Sequence, residues 1–226
     1  IKQGLATADD FRFVRAWWEV EPVRIVSGTE ETTPEQFRAQ TCAGKKWAPF
    51  AKGGEYSPYY ADIHLVVNWR NDGEEVKDWI CSRYPYLKGN WGWVVKNTDY
   101  YFRPALTWPL RTTSGISFRI LNRGAVFGHK GPSCFTEDDK QLLSLLTVVQ
   151  SSTFSYLVSI QIAAADAAAR SYEVGVIQKT PMPGIGIDQK LLLTGLITHT
   201  LEIKRDIEKI NELGHLFNYP SIIRYR

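Results

Sequence analysis

The sequence predicts an α+β fold, in which a twisted, mostly antiparallel sheet is flanked by helices and followed by a long C-terminal helix. Apolar and polar residues alternate over residues 116–121, ISFRIL, as in a strand with one buried face. Thr33, Pro34 and Gln36 form a helix start, with a hydroxyl cap, proline at the first helical position and Gln three residues after the cap. After Asp188 an amphipathic run extends to about residue 213 and predicts the long helix.

The N-terminal part of the chain predicts short helices, a loop and a first strand. The spacing of Thr7 and Asp10 resembles a capping box, so residues 11–20 are predicted to form a short helix. Residues 45–60 are rich in Gly, Pro and aromatic residues and predict an irregular loop. Residues 64–69, HLVVNW, favour a strand, and the turn after them leads into a short helix over residues 74–84.

The middle of the chain predicts strands, and the region after it predicts a buried helix. Residues 91–96 and 99–103 are strand-like, and residues 125–135 close the β-rich part. Residues 139–160, capped by Thr136, are apolar on nearly every helical face, which is typical of a buried helix.

A proline-rich breaker at residues 181–184 precedes the long helix and divides the predicted domains. Residues 1–180 form the main domain, and residues 181–226 form the Pro-bounded turn and a spacer-like helix. Apolar residues run along one stripe of this helix, which must pack on the domain body, a partner subunit or a second copy; they are Leu196, Ile203, Ile207 and Ile210.

The composition favours an ordinary globular protein and excludes several classes. The 226 residues are 44% hydrophobic and 23% charged. Apolar runs are shorter than the roughly 18 residues of a membrane span, and the start lacks a signal-peptide pattern. The three cysteines and four histidines are scattered, which argues against a disulfide framework and a structural metal. We therefore expect a cytoplasmic protein with no membrane partner and no metal.

Residues 83–130 carry a strong excess of positive over negative charge. They contain eight of the 27 Lys and Arg residues but only one acidic residue, Asp99, of 24, and ten aromatic residues lie between the cations. A basic, aromatic-rich region on a slightly acidic body indicates a polyanion-binding face. The alternative is that the aromatic residues are core and the cations are the solvated faces of strands.

Catalytic patterns are weak. Asp62, Glu75 and Lys77 match the residue types of a metal-dependent nuclease, but Glu75 and Lys77 lie on a predicted helix rather than on a strand. Residues 57–60, SPYY, lack the Asn or Asp and the second Pro of the loop that grips a base in amino-methyltransferases. The glycines at residues 53–54 and 89–92 form no strand–loop–helix cradle for a phosphate or cofactor. No catalytic residue is predicted in this chain.

The order of several segments resembles a known family. These segments are GLATADDFRFVRAWWEV, WAPFAKGG, YYADIHLVVNWRNDGEEVK, LTWPLRTTSGISFRILNRGAVFGHKGPSCF and AADAAARSYEVGVIQKTPMP. They resemble the C-terminal half of bacterial adenine-specific DNA methyltransferases, of the phage-defence BREX PglX type and the type IIG restriction–modification type. The turn at Pro181, Met182 and Pro183 before a long helix is also similar to the end of a recognition domain in type I specificity subunits.

The resemblance implies a DNA target-recognition domain, whose partners are double-stranded DNA and a methyltransferase domain in cis or in trans. The family's catalytic loop and its glycine motif for S-adenosylmethionine are absent from this sequence. The resemblance thus implies that S-adenosylmethionine serves a catalytic domain outside this chain. The alternatives are a type I specificity-subunit-like protein, a metal-dependent nuclease fragment, or a glycan-binding module, given eight Trp and eleven Tyr.

On this interpretation, cations meet phosphates, and Arg, Lys, Ser and Thr side chains read base edges. The alternation of residues 116–121 places Arg119 on the outward face, and the glycine at residue 115 permits close backbone approach. The alternative is that residues 112–115 are only a tight hairpin turn. The predicted DNA-binding residues are Lys96, Arg103, Arg111, Thr112, Thr113, Ser114, Arg119, Arg123, His129 and Lys130.

Overall fold

The structure is a computed structural model that describes residues 1–162, 170–217, 220 and 223, and it has an α+β fold. The helices of the described residues are α1 (Asp10–Phe13), α2 (Pro34–Cys42), α3 (Arg70–Arg83), α4 (Gln141–Val149), α5 (Ser152–Ser159), α6 (Val174–Lys179) and α7 (Ile187–Glu208). The strands are β1 (Val14–Ala16), β2 (Trp47–Ala51), β3 (Leu65–Asn68), β4 (Ala105–Thr107), β5 (Arg111–Thr112), β6 (Arg119–Leu121), β7 (Val126–Phe127), β8 (Ser133–Cys134) and β9 (Arg170–Ser171).

The strands form three small sheets that are mostly antiparallel, as predicted. The first sheet has the order β1-β3-β2-β7, and β2 and β7 are its parallel pair. The second sheet has the order β6-β4-β8, and the third pairs β5 with β9; both are antiparallel. The α+β class is therefore confirmed, with the strands divided among separate sheets.

Two apolar cores stabilise the fold. The first lies around the four-stranded sheet and includes the fully buried rings of Phe13, Trp69 and Phe127. The second lies between the β6-β4-β8 sheet and the C-terminal helices and includes Trp108 and Phe118. Because β4 contributes residues to both clusters, the two cores share one strand.

Two local signals in the sequence are confirmed. Thr33 caps α2, since its hydroxyl accepts from the Gln36 amide at 3.3 Å while the Gln36 side chain accepts from the Thr33 amide at 2.7 Å. The long helix also forms, as α7. Both depend on residues within one or two helical turns, which local sequence patterns report well.

Three predictions of element type are wrong, because contacts between distant segments, and not the local sequence, determine the structure at these positions. Residues 14–16 leave the predicted helix because they pair with β3. Within the predicted loop of residues 45–60, β2 forms because its backbone pairs with β3 on one side and β7 on the other, and its apolar side chains are buried. The aromatic-rich residues 91–96 and 99–103 form 3₁₀ turns at Trp91–Trp93 and Thr98–Tyr100 instead of strands.

The predicted helix over residues 139–160 divides into α4 and α5. Ser151 caps α5, with its hydroxyl accepting from the Phe154 amide at 3.1 Å, and the Gln150 side chain accepts from the Phe118 amide at 2.8 Å. Among the described residues, no single helix is long and apolar enough to cross a membrane; α4 and α5 meet that test only as a pair, bent by 62°.

The side of α7 that packs on the body differs from the predicted stripe. Ile197 and Leu201 are buried against the second core, next to α4. The stripe instead remains between 44% and 57% exposed in this chain; its residues are Leu196, Ile203, Ile207 and Ile210. The division into residues 1–180 and 181–226 stays a prediction.

Candidate nucleic-acid interface

Backbone hydrogen bonds bring three distant segments of the chain together at β5. The Leu110 amide donates to the Lys130 carbonyl at 2.9 Å, and the Tyr172 amide donates to the Leu110 carbonyl at 2.7 Å. The same Lys130 carbonyl oxygen also lies close to Gly53: a Cβ atom on residue 53 would be only 2.6 Å from it. The loop after β2, the segment after β7 and strand β9 thus meet around β5.

The hydroxyl-rich turn after β5 is held by its own residues and by β9. The Thr112 hydroxyl accepts from the Ser114 amide at 3.0 Å, and the Tyr172 hydroxyl donates to the Ser114 carbonyl at 3.3 Å. The β5–β9 register sets Arg170 opposite Thr112. The turn is therefore fixed in place, and the side chains of Thr113 and Ser114 are exposed.

We call one group of exposed residues the basic edge. It combines three cations from three segments of the chain with two hydroxyl side chains from one turn. Its residues are Arg111, Thr113, Ser114, Lys130 and Arg170.

A small cavity adjoins the basic edge at Lys130. Its volume is about 220 Å³, and Lys52, His129 and Lys130 line it together with Asp10. The Asp10 carboxylate forms a salt bridge with Lys52 and accepts from the Thr7 hydroxyl at 2.5 Å. Partial burial opposes ionisation of Asp10, but these hydrogen bonds and the charges of Lys52 and Lys130 lower its pKa. One acid therefore offsets part of the positive charge here.

Lys96 and Arg103 lie in a second cationic group that the N-terminal residues complete. The Lys96 ammonium donates to the Gln3 side chain at 3.1 Å. Arg103 lies over the Tyr100 ring at 5.3 Å, and Lys2 lies over the same ring at 4.7 Å. Cation–π contacts therefore hold Lys2 and Arg103 beside an aromatic face, whereas Lys96 is held by its hydrogen bond to Gln3.

The expectation that Arg119 lies on an outward face is wrong. Its side chain is only 6% exposed, and its guanidinium donates to the carbonyls of Gly53 at 2.5 Å and Glu55 at 3.1 Å. The alternation misleads because other segments pack on this strand: the loop after β2 lies against the Arg119 guanidinium, and Tyr59 pairs with the strand edge through backbone hydrogen bonds with Phe118 and Ile120. Burial lowers the pKa of Arg119 to about 10, so the side chain stays charged at neutral pH.

Arg123 is also engaged within the protein. It forms a salt bridge with Asp139, just before α4. The structure therefore brings six of the ten predicted residues to β5 and the Lys130 segment and places the other four elsewhere. The six are Arg111, Thr112, Thr113, Ser114, His129 and Lys130.

Sequence reasoning missed two cations of this surface. Lys52 precedes the glycine pair at residues 53–54, and that pair directly after an apolar segment could have signalled a close backbone approach. Arg170 lies outside the basic window, and no local pattern connects it with the turn it pairs with.

A cavity of about 570 Å³ lies behind the glycine pair. Its walls come from β2 and the loop after it, the segment before β3, β4, β6 and the last turn of α7. Arg119 lies in one wall, and Asp62, His64 and Glu208 also line the cavity.

The residues of the nuclease alternative are engaged with separate partners. Glu75 accepts from Arg12 at 3.1 Å, Lys77 donates to Asp72 at 3.0 Å, and Asp62 lies 2.9 Å from the His215 ring. In the described part of the chain, no group of three or more His, Cys, Asp and Glu residues could hold a metal ion. The arrangement does not favour metal-dependent cleavage.

The described residues also do not fit S-adenosylmethionine in the manner of a glycine-loop site. The glycines at residues 53–54 follow strand β2 but lead to strand β3 rather than to a helix N-terminus. Those at residues 89 and 92 lie among 3₁₀ turns. The strand–loop–helix cradle of such sites is therefore not formed at either position.

Comparison with known proteins relates the chain to adenine-specific methyltransferases. Over 159 residues, or 70% of the chain, it is 28% identical to the adenine-specific methyltransferase PglX of Lacticaseibacillus casei (strain Zhang). Over 132 residues, or 58% of the chain, it is 29% identical to the adenine-specific methyltransferase BrxX of Escherichia coli O9:H4 (strain HS). The matched regions span only 12% and 10% of those two proteins. No family model matches the chain.

Proposed function

We propose that this chain recognises double-stranded DNA on behalf of an adenine-specific methyltransferase domain. Two independent lines support the proposal. The sequence is similar to PglX and BrxX, and the fold assembles a cationic, hydroxyl-bearing surface from distant segments. A restriction–modification or phage-defence setting follows from the first line, and double-stranded DNA as a partner follows from both.

The observation that carries the proposal is the basic edge. Arg111, Lys130 and Arg170 present three exposed cations without a recorded ion pair to any described residue. Thr113 and Ser114 add hydroxyl groups on a turn that is held at both ends. Cations beside phosphates position a protein on a duplex, while Arg and hydroxyl side chains can contact base edges.

The division of labour rests on the extent of the similarity. The matched regions are about a tenth of each methyltransferase, and the glycines at residues 53–54 and 89–92 form no strand–loop–helix cradle. We therefore assign S-adenosylmethionine and the methyl transfer to a separate catalytic domain, in cis or in trans. In the specificity-subunit alternative, the chain would bind DNA equally and recruit its methyltransferase as a separate polypeptide.

The proposal is tested by fluorescence-anisotropy titration of a labelled random duplex over a range of salt concentrations. The logarithm of the affinity should fall linearly with the logarithm of the salt concentration, with a slope of about −0.9 for each phosphate contacted. Removing one phosphate contact reduces the slope by about 1. The parent chain should therefore show a slope of magnitude about 2 or more, and the Arg111→Ala/Lys130→Ala double variant should show a slope smaller in magnitude by about 2.

Arg83→Ala/Lys88→Ala is the matched control, because it also removes two exposed cations from the same basic window, at the end of α3 and after the 3₁₀ turn that follows, neither of them on β5 or its partners. It should leave the slope within error of the parent chain. Equal effects of the control and the double variant would mean that net charge, not the basic edge, governs binding. A duplex affinity that is absent at low salt, even with the methyltransferase domain added, would refute the proposal.

A further inference from the structure

The 570 Å³ cavity behind the glycine pair carries an unusual buried charge. Arg119 lines it, is 6% exposed, and directs its recorded hydrogen bonds only to the neutral carbonyls of Gly53 and Glu55. No carboxylate of the described residues forms an ion pair with it. Since buried charges are normally paired, a cation in this wall is suited to an anionic ligand.

The glycine pair lies in the loop over this charge, and each terminal nitrogen of Arg119 keeps one N–H that its bonds to Gly53 and Glu55 do not use. Gly53 and Gly54 have φ angles of +91° and +117°, which side-chain-bearing residues rarely adopt, and a Cβ on Gly54 would lie 3.5 Å from an Arg119 nitrogen. The loop therefore passes over the guanidinium with no side chain between them at these two positions. A planar cation beside a bare backbone loop is a suitable setting for bidentate binding of a phosphate.

Three carboxylate residues line the cavity: Glu55 lies on the loop that contacts Arg119, whereas Asp62 and Glu208 lie elsewhere, and Asp62 is 2.9 Å from the His215 ring. Asp62 and Glu208 both raise the pKa of Tyr60, after burial as the larger cause, so the two acids act on the same neighbourhood. Burial alone lowers the pKa of Arg119, and neither acid contributes to that change. The cavity is thus bipolar, with a buried cation in one region and hydrogen-bond acceptors in another.

We propose that this cavity binds a single unstacked deoxynucleotide, with the phosphate at Arg119 and an amino-bearing base at Asp62 and Glu208. Its volume lies within the range of roughly 300–1,000 Å³ typical of small-molecule sites. Ionised carboxylates only accept hydrogen bonds, so they favour the exocyclic amino groups of adenine and cytosine over the carbonyls of thymine.

The identity of the ligand as a nucleotide rests on the proposed function, because the cavity and the basic edge share one loop. Lys52 and Gly53 line the cavity, and Gly53 packs on Lys130, whose side chain belongs to the basic edge. A nucleotide displaced from a duplex at the basic edge therefore lies next to the loop that covers the cavity. Extrusion costs a few kcal/mol of unstacking, which a dedicated pocket can offset.

The test is isothermal titration of the isolated chain with dAMP, dTMP and deoxyadenosine, which does not depend on duplex binding. We expect dAMP to bind at least about tenfold more tightly than deoxyadenosine, since the phosphate adds charge-assisted hydrogen bonds. We expect dAMP also to bind more tightly than dTMP. Arg119→Met should abolish the advantage of the phosphate, and Arg119→Lys, which keeps the charge, should restore part of it.

Glu208→Gln is a second variant that should fold normally, because Glu208 lies in the last turn of α7, outside both cores. It should reduce the preference for dAMP over dTMP while leaving the preference for dAMP over deoxyadenosine unchanged. Failure of dAMP to bind at millimolar concentration, with salt-dependent duplex binding intact, would overturn the nucleotide site but not the proposed function. Equal binding of dAMP and deoxyadenosine would likewise overturn it.

Discussion

Arg119→Met should destabilise the protein substantially, although the residue lies in a window that the sequence assigns to a surface. The substitution removes two charge-assisted hydrogen bonds to the carbonyls of Gly53 and Glu55. Such bonds contribute about 1.5–3 kcal/mol each to stability. Removing the buried charge also removes its desolvation cost, which offsets part of this loss. Water in the adjoining cavity can also solvate the freed carbonyls. The expected net loss in the free energy of unfolding is therefore about 2–4 kcal/mol.

Thermal unfolding followed by circular dichroism measures this loss. For a chain of 226 residues, each kcal/mol lowers the melting temperature by about 2–4 °C, so Arg119→Met should melt roughly 5–15 °C below the parent. Arg111→Met, at an exposed position in the same window, should change the free energy of unfolding by no more than about 0.5 kcal/mol. Equal melting temperatures for the two variants would refute the assignment of Arg119 as a buried clamp on the loop.

Two further predictions concern the region around α3. Gly73→Ala should cost about 2 kcal/mol or more in urea unfolding, because φ is +80° and the new Cβ would lie 2.7 Å from the buried Trp69 ring. Gly89→Ala, with φ of +81° and no atom within 4 Å, isolates the backbone cost, and an equal loss there would disprove the clash. Burial opposes ionisation of Glu75, but hydrogen bonds from Arg12 and Asn68 lower its pKa below the ordinary value of 4.5. The ionised Glu75 therefore stabilises the folded protein above pH 4.5, and this contribution is lost as the pH falls below that value. Glu75→Gln should therefore flatten the fall of the urea midpoint from about pH 6 to about pH 3, whereas parallel curves for the two proteins would contradict this linkage.

Elements specified by neighbouring residues could be predicted from the sequence. The capping box at Thr33 and the amphipathic run of α7 each contain their own signal, and both helices form within a few residues of the predicted bounds. The break between α4 and α5 could not be predicted from hydrophobicity, since it depends on the Gln150 side chain reaching a strand more than thirty residues earlier.

The candidate interface shows the same limit. The turn at Arg111 and the exposed Lys130 follow from charge and turn chemistry, but Arg170 joins them only through pairing of β5 with β9. Arg119 is misassigned for the complementary reason. Its burial depends on the loop at residues 53–55, more than sixty residues earlier, whose carbonyls accept from the guanidinium. Local alternation reports which face a side chain takes, and the fold decides what lies against that face.

The covering of β6 also bears on how the chain behaves at high concentration. β6 is the outer strand of its sheet, and an open outer strand would present unpaired amides to a second molecule. Here the Phe118 amide is occupied by Gln150, and Tyr59 satisfies the Phe118 carbonyl and the Ile120 amide. One glutamine side chain and one backbone segment thus occupy hydrogen-bonding groups that this edge would otherwise offer to another chain, and we expect the edge to be protected from pairing with a second molecule once both have docked.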